Sequence, residues 1–198
     1  MIRPASGIAS ADSRQRLINA AIEAFREEGY RASIDRIAQG AGVCRQTVYN
    51  NFASKEDLFS EVAGQASEDI QTSLDGQGGD VRDCLLGFAT LVQQRVLSRE
   101  SLSMFRTLSA EVPRFPALGQ AFYDKGPQRT LEGLATFLVG AMNEGRLRRD
   151  DPQFAAELLM SMLIGYEHTR RLLCTVEAPV ESDHTERIVD CFLRIYSL

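Results

Sequence analysis

The chain has 198 residues, 44% of them hydrophobic and 25% charged, and a formal net charge of −5. That length can bury a proper core as one large or two small domains, and the composition is that of an ordinary globular protein, which excludes a disordered, collagen-like or disulfide-stapled chain. The acidic excess argues at first sight against a nucleic-acid partner, yet it is unevenly spread: residues 1–59 carry eight Arg or Lys against seven Asp or Glu, and residues 60–198 carry fourteen against twenty. With residues 1–59 near neutral and the rest acidic, any nucleic-acid contact would depend on a few placed basic side chains and not on bulk charge.

The opening MIRPASGIASADS lacks the apolar stretch of a signal peptide, and no apolar run approaches the length of a membrane span. The expectation is a cytoplasmic protein without membrane contact, its cysteines reduced. Residues 1–11 read as a flexible tail. From Asp12 or Ser13, Leu17, Ile18, Ala21, Ile22 and Phe25 recur at helical spacing up to Gly29. Arg14 and Arg16, in the first turn of that helix, oppose its dipole, which either phosphate contact or plain exposure would explain.

The segment Ser33 to Phe52, SIDRIAQGAGVCRQTVYNNF, reads as two short helices around a glycine turn. Ser33 is an N-cap and Asp35 complements the dipole of the first helix. Gly42, able to take positive φ, reverses the chain. A second helix follows from about Cys44, with Val48 and Phe52 turned inward and Arg45, Gln46, Tyr49 and Asn50 on the opposite face. Guanidinium, amide and phenol groups on such a face are the types that reach base edges and phosphates from a major groove, although any helical hairpin also has one wet side.

Ser54 caps the next helix, which runs through Leu58, Phe59, Val62 and Ile70 to about Leu74, and DGQGGD at Asp75–Asp80 is a loop. Asp80 then caps a helix carrying Val81, Leu85, Phe88, Leu91, Val92 and Val96, and another spans about Ser101 to Ala110. Pro113 and Pro116 interrupt the pattern. A long helical pattern resumes from Ala117 to Asn143, with a kink or break expected at Gly126–Pro127. After a turn at Glu144–Arg148, Asp151–Pro152 opens a helix to Leu173, and a last one covers about Asp183 to Tyr196. Nothing alternates with period two. The expectation is an all-α protein of about nine helices, with a three-helix head at residues 12–59 and a larger helical domain at 60–198.

The run of Arg14, Phe25, Gly29, Tyr30, Ser33, Ile37, Ala38, Ala41, Gly42, Val43, Thr47, Val48, Tyr49, Phe52, Lys55, Leu58 and Phe59 resembles the DNA-binding domain of the TetR family of bacterial transcriptional regulators. Its most telling part is Thr47 to Leu58, TVYNNFASKEDL. The resemblance implies a helix-turn-helix whose DNA-binding residues are Ser33, Arg45, Gln46, Thr47, Tyr49, Asn50 and Lys55, with Lys55 opening the following helix and touching a phosphate. It implies a homodimer on palindromic double-stranded operator DNA, two recognition helices roughly 34–36 Å apart, and a repressor released when an unknown small-molecule ligand shifts the helix after the hairpin. Two departures bear on operator preference: Cys44 stands where the family has a hydroxyl cap, and Asn51 where it commonly has His or an aromatic residue. The stretch over residues 114–159 also resembles the C-terminal domain of one TetR subgroup.

By the same resemblance the body holds a ligand pocket, for which Phe88, Met104, Phe105, Phe122, Tyr123, Phe137, Tyr166 and His168 combine apolar walls with polar tips. The helix at 154–173 is apolar on more than one side, so with the last helix it is the candidate dimer interface, through Leu158, Leu159, Met162, Leu163, Ile188 and Phe192. Enzyme chemistry is not expected: the two His are late and isolated, and no nucleophile–base pair or phosphate-binding glycine loop is present. No cofactor is expected and no metal, since Cys174, His184 and Cys191 fit no usual ligand spacing. Cys44, near a helix N-terminus and Arg45, sits where a thiol ionises and oxidises readily. A redox-sensing regulator switched there, or a helical protein-interaction module that binds no DNA, stand as alternatives.

Overall fold

The computed structural model describes residues 6–74, 79–174 and 183–198. Among the described residues there are ten α-helices, one 3-10 turn and no strand: α1 Ser6–Glu28, the 3-10 turn Gly29–Arg31, α2 Ile34–Ala41, α3 Arg45–Asn51, α4 Lys55–Thr72, α5 Val81–Val96, α6 Arg99–Glu111, α7 Pro116–Lys125, α8 Pro127–Asn143, α9 Pro152–Leu173 and α10 His184–Tyr196. The interruption expected at Gly126–Pro127 is complete, so the long pattern before Asn143 forms two helices, α7 and α8.

Local chemistry sets these boundaries. Ser54 Oγ accepts from the Asp57 N–H at 3.1 Å at the start of α4. Asp80 accepts from Arg82 N at 2.8 Å, and Asp151 accepts from Gln153 N at 2.9 Å with Pro152 in the first turn. Of the loop expected at Asp75–Asp80, residues 75–78 lie outside the described residues. At the other end of the chain α1 begins earlier than its caps suggest: residues 6–11, expected as tail, are helical, and residues 1–5 lie outside the described residues. Extending a formed helix costs little, and no proline follows Pro4 there. Arg14 and Arg16 consequently sit well inside α1, and their conflict with the dipole disappears. Arg16 pairs with Asp12 at 3.3 Å, while Arg14 pairs with Glu61 and stacks over the Phe52 ring at 5.2 Å.

The chain forms two compact units, one of Met1–Gly64 with Ser103–Lys125 and the other of Gln65–Leu102 with Gly126–Leu198. The first unit is the expected head enlarged by most of α6 and all of α7. Its core joins Leu17, Ile18 and Phe25 of α1, Ile37 of α2, Val48 of α3 and Leu58 and Phe59 of α4 to Leu108 of α6 and Leu118 of α7. Phe59 is the hub, with the Phe25 and Tyr30 rings edge-on at 5.0 and 5.4 Å. Lys125, the last residue of α7, donates to Asp57 at 2.7 Å and also to Glu61, which takes Arg14 from its other side.

The second unit packs α5, α8, α9 and α10 around Leu85, Phe88, Val92, Leu134, Leu138, Leu159, Leu163, Val189 and Phe192. Within it α9 leaves helical geometry at Gly165. Near that break Gln93, buried on α5, donates from Nε2 to the Leu163 carbonyl at 3.0 Å and accepts from the Thr185 hydroxyl of α10, so one side chain ties three helices.

Candidate nucleic-acid interface

The hairpin of α2 and α3 is built as its sequence requires. Ser33 Oγ accepts from Arg36 N at 3.1 Å, capping α2. Gly42 takes φ 66° and its N–H reaches the Gln39 carbonyl at 3.1 Å, while Val43 N returns to the Ala38 carbonyl at 3.0 Å. This pair of bonds satisfies the last carbonyls of α2 and needs a left-handed residue at position 42. Val48 and Phe52 are buried beneath α3, which turns the other side of that helix to solvent.

On that outer side the expected residues do come together. Arg45 Nη1 lies 3.1 and 3.4 Å from the two carboxylate oxygens of Asp35, Arg45 Nη2 lies 3.4 Å from the Tyr49 hydroxyl, and the guanidinium stands 5.7 Å from the Tyr49 ring centre. Tyr49 and Asp35 both raise the Arg45 pKa, the phenol contributing more. Gln46 Nε2 donates to Asn50 Oδ1 at 3.0 Å. That bond leaves the acceptor of Gln46 and the donor of Asn50 as the groups the pair can offer a base edge. The two helices thus present one guanidinium, one phenol and two amides, already held by one another.

Three expected residues have inward duties. Ser33 is a cap. Thr47, half-buried, contacts the Cys44 sulfur at 3.2 Å through its hydroxyl. Lys55 opens α4 and donates from Nζ to the Tyr30 carbonyl, 4.4 Å above the Tyr30 ring; burial lowers its pKa against the pull of Glu56 and Glu111. The unfamiliar residues at 44 and 51 also have visible roles. Cys44 is an exposed N-cap without a side-chain cap bond, its thiol held below the ordinary value first by the Thr47 hydroxyl and then by amides at the start of α3. Asn51 Nδ2 donates to the Thr47 carbonyl at 2.7 Å near the end of α3.

Asp35, which pairs with Arg45 on this surface, is the residue that sequence reasoning left as a helix-dipole residue only. A carboxylate ten residues before an arginine gives no periodic signal, because the turn at Gly42 alone brings them together.

The candidate pocket residues fall in both units. Met104, Phe105, Phe122 and Tyr123 belong to the first, and Phe105 and Tyr123 are exposed there. Phe88, Phe137, Tyr166 and His168 belong to the second, where Phe88 is fully buried in the core, Tyr166 is 85% exposed and burial lowers the His168 pKa. The interface candidates divide by burial within the single chain. Leu159, Leu163 and Phe192 are sealed in the core of their own unit and Ile188 is buried there too, because the wide apolar surface of α9 serves α5, α8 and α10. Leu158 and Met162 are half-buried, and Phe154, Tyr166 and Leu173 of the same helix are exposed. Among the described residues no cluster of His, Cys, Asp and Glu could hold a metal ion, and no helix is long and apolar enough to cross a membrane.

Comparison with known proteins agrees with this geometry. Residues 17–62 match the family model "Bacterial regulatory proteins, tetR family", and residues 83–198 match "AefR-like transcriptional repressor, C-terminal domain". A crystal structure described as a TetR-family transcriptional regulator of Mesorhizobium loti superposes with a TM-score of 0.82 at 30% identity, over 96% of this chain and 98% of that one. The flavonoid-responsive regulator FrrA superposes at 0.71 with 29% identity, over 93% and 97%. The HTH-type transcriptional regulator YvkB of Bacillus subtilis is 25% identical across 78% of this chain and 80% of its own.

Proposed function

The chain belongs to the TetR family of bacterial transcriptional regulators, which makes it a DNA-binding protein, and from that premise we propose a repressor that reads a palindromic operator as a homodimer and leaves it when a small molecule binds. The observation that carries the reading is the outer side of α3, where Arg45, Gln46, Tyr49 and Asn50 stand exposed on a helix fixed from beneath by Val48 and Phe52. In this reading α3 enters a major groove, and the guanidinium and amides meet base edges. Ser33 and Thr47 lie beside phosphates, and the start of α4 at Lys55 brings N–H groups and a positive dipole end to the backbone.

The dimer is supported by apolar surface on the second unit: Phe154, Tyr166 and Leu173 on α9 and Ile195 and Leu198 at the end of the chain are exposed together with half-buried Leu158 and Met162. An effector with aromatic character is supported by the flavonoid-responsive relative. It would act only through unequal affinity for the bound and released states.

Selection of duplexes from a random pool tests the core of the proposal. The expected product is a palindrome, and Arg45→Ala and Tyr49→Ala should each weaken binding to it by about 1–3 kcal/mol, the usual worth of a specific base contact. A pool without symmetry, or variants that bind as wild type, would remove the reading. Release from the selected duplex by flavonoids tests the effector separately, and no release by any of them discards that part.

A further inference from the structure

The pairing of Asp35 with Arg45 is not needed for folding. Both side chains are exposed, and an exposed ion pair contributes little to stability. Its effect falls on the arginine that the proposed readout depends on. A lone exposed arginine on this surface would attach to any phosphate, adding affinity for every sequence alike and steepening the salt dependence of binding. With a carboxylate of α2 3.1 Å away and the Tyr49 hydroxyl 3.4 Å away, the Arg45 guanidinium is biased toward one direction and has a charge of opposite sign beside it.

We propose that Asp35 is a positioning residue for sequence readout, holding one edge of the Arg45 guanidinium so that its remaining N–H groups are spent on a base edge rather than on phosphate. This rests on the DNA-reading assignment above. The carboxylate cannot itself attract DNA, since it repels the phosphates. Its contribution is discrimination: it lowers binding to all duplexes and lowers it less for the one whose base edge satisfies the directed donors. Asp35 is well placed for this because it belongs to α2, the helix that Gly42 and Val43 tie to α3, so the orientation is set across the hairpin and not by α3 alone.

The test measures affinity by fluorescence anisotropy for the duplex selected with the wild-type protein and for a scrambled duplex, over a series of salt concentrations. Asp35→Asn, close in shape but without charge, should raise affinity for the scrambled duplex, steepen its log–log salt slope by about one counterion, and reduce the selected-to-scrambled ratio by roughly five- to tenfold, the lower end of what one bidentate base contact supplies. Asp35→Glu, which keeps the carboxylate, should recover most of the ratio. In an Arg45→Ala background Asp35→Asn should leave the ratio where Arg45→Ala put it and change the slope by less than in the wild-type background. The inference is overturned if Asp35→Asn keeps the wild-type ratio while Arg45→Ala loses it, which leaves DNA reading standing. It is also overturned if Asp35→Asn steepens the slope equally without Arg45, since that is general charge removal. A wild-type protein that does not distinguish the two duplexes overturns both this inference and the reading beneath it. Thermal melts of each variant by circular dichroism show that the hairpin is folded in every comparison.

Discussion

Single residues in the hairpin have sharply different tolerances. Gly42 has room for a side chain, the nearest atom to an added Cβ being Arg16 Nη1 at 3.9 Å, but its φ of 66° disfavours any side chain. Gly42→Ala should therefore cost about 1 kcal/mol through the backbone alone, seen as a lower midpoint in thermal denaturation with the folded circular dichroism spectrum unchanged; a midpoint equal to wild type would mean the turn relaxes to another form. The turn was legible in the sequence because Gly42 follows an apolar periodic segment and precedes Val43. The duty of Asp35 was not, since a contact made across a turn leaves no mark on either helix pattern. Lys55 shows the same limit in another way: the motif placed it at the start of α4, and only the fold shows its ammonium turned onto the Tyr30 carbonyl and ring.

Among whole elements, α4 and α7 are the pair whose relation periodicity could not supply. The sequence marked helices over α6 and α7 but not which core receives them, and Leu108 and Leu118 enter the core of the first unit. Lys125 adds an ionic tie to that packing. Burial raises the Asp57 and Glu61 pKa values, and the Lys125 ammonium, joined by Arg14 and, at Asp57, by the Ala53 N–H, more than offsets it, so both carboxylates lie below the usual range. A depressed carboxylate contributes stability that is complete above its unfolded value, near pH 4, and is lost as the pH falls through the folded one. Lys125→Ala should thus destabilise the protein at pH 7 and flatten the decline in urea stability between about pH 5 and 3. An unaltered acid limb would show that Lys125 does not set these carboxylates. The breadth of α9 was ambiguous for a related reason. A helix apolar on several sides looks the same whether its neighbours are its own chain or a second one, and Leu159 and Leu163 meet their own chain.

At the scale of the whole molecule, fold class and family were visible in the sequence, because helical spacing and the Thr47–Leu58 motif are local properties. The division into units was not, because α4 and α6 each contribute residues to both and neither carries a break where the units part. The exposed apolar residues of the second unit predict an oligomeric state. A Tyr166→Glu and Leu173→Glu double variant should elute as a monomer in size exclusion with light scattering, keep its helical content and lose most operator affinity; a dimer that persists would move the contact elsewhere. Tyr166 and Leu173, at 85% and 80% exposure, support no core, so the double variant keeps its fold. That uncovered grease also has an arithmetic outcome inside a cell. Where chains are scarcer than their pairing constant, twofold fewer copies leave fourfold fewer pairs, so gene control through this protein would fade with the square of its abundance and not in simple proportion.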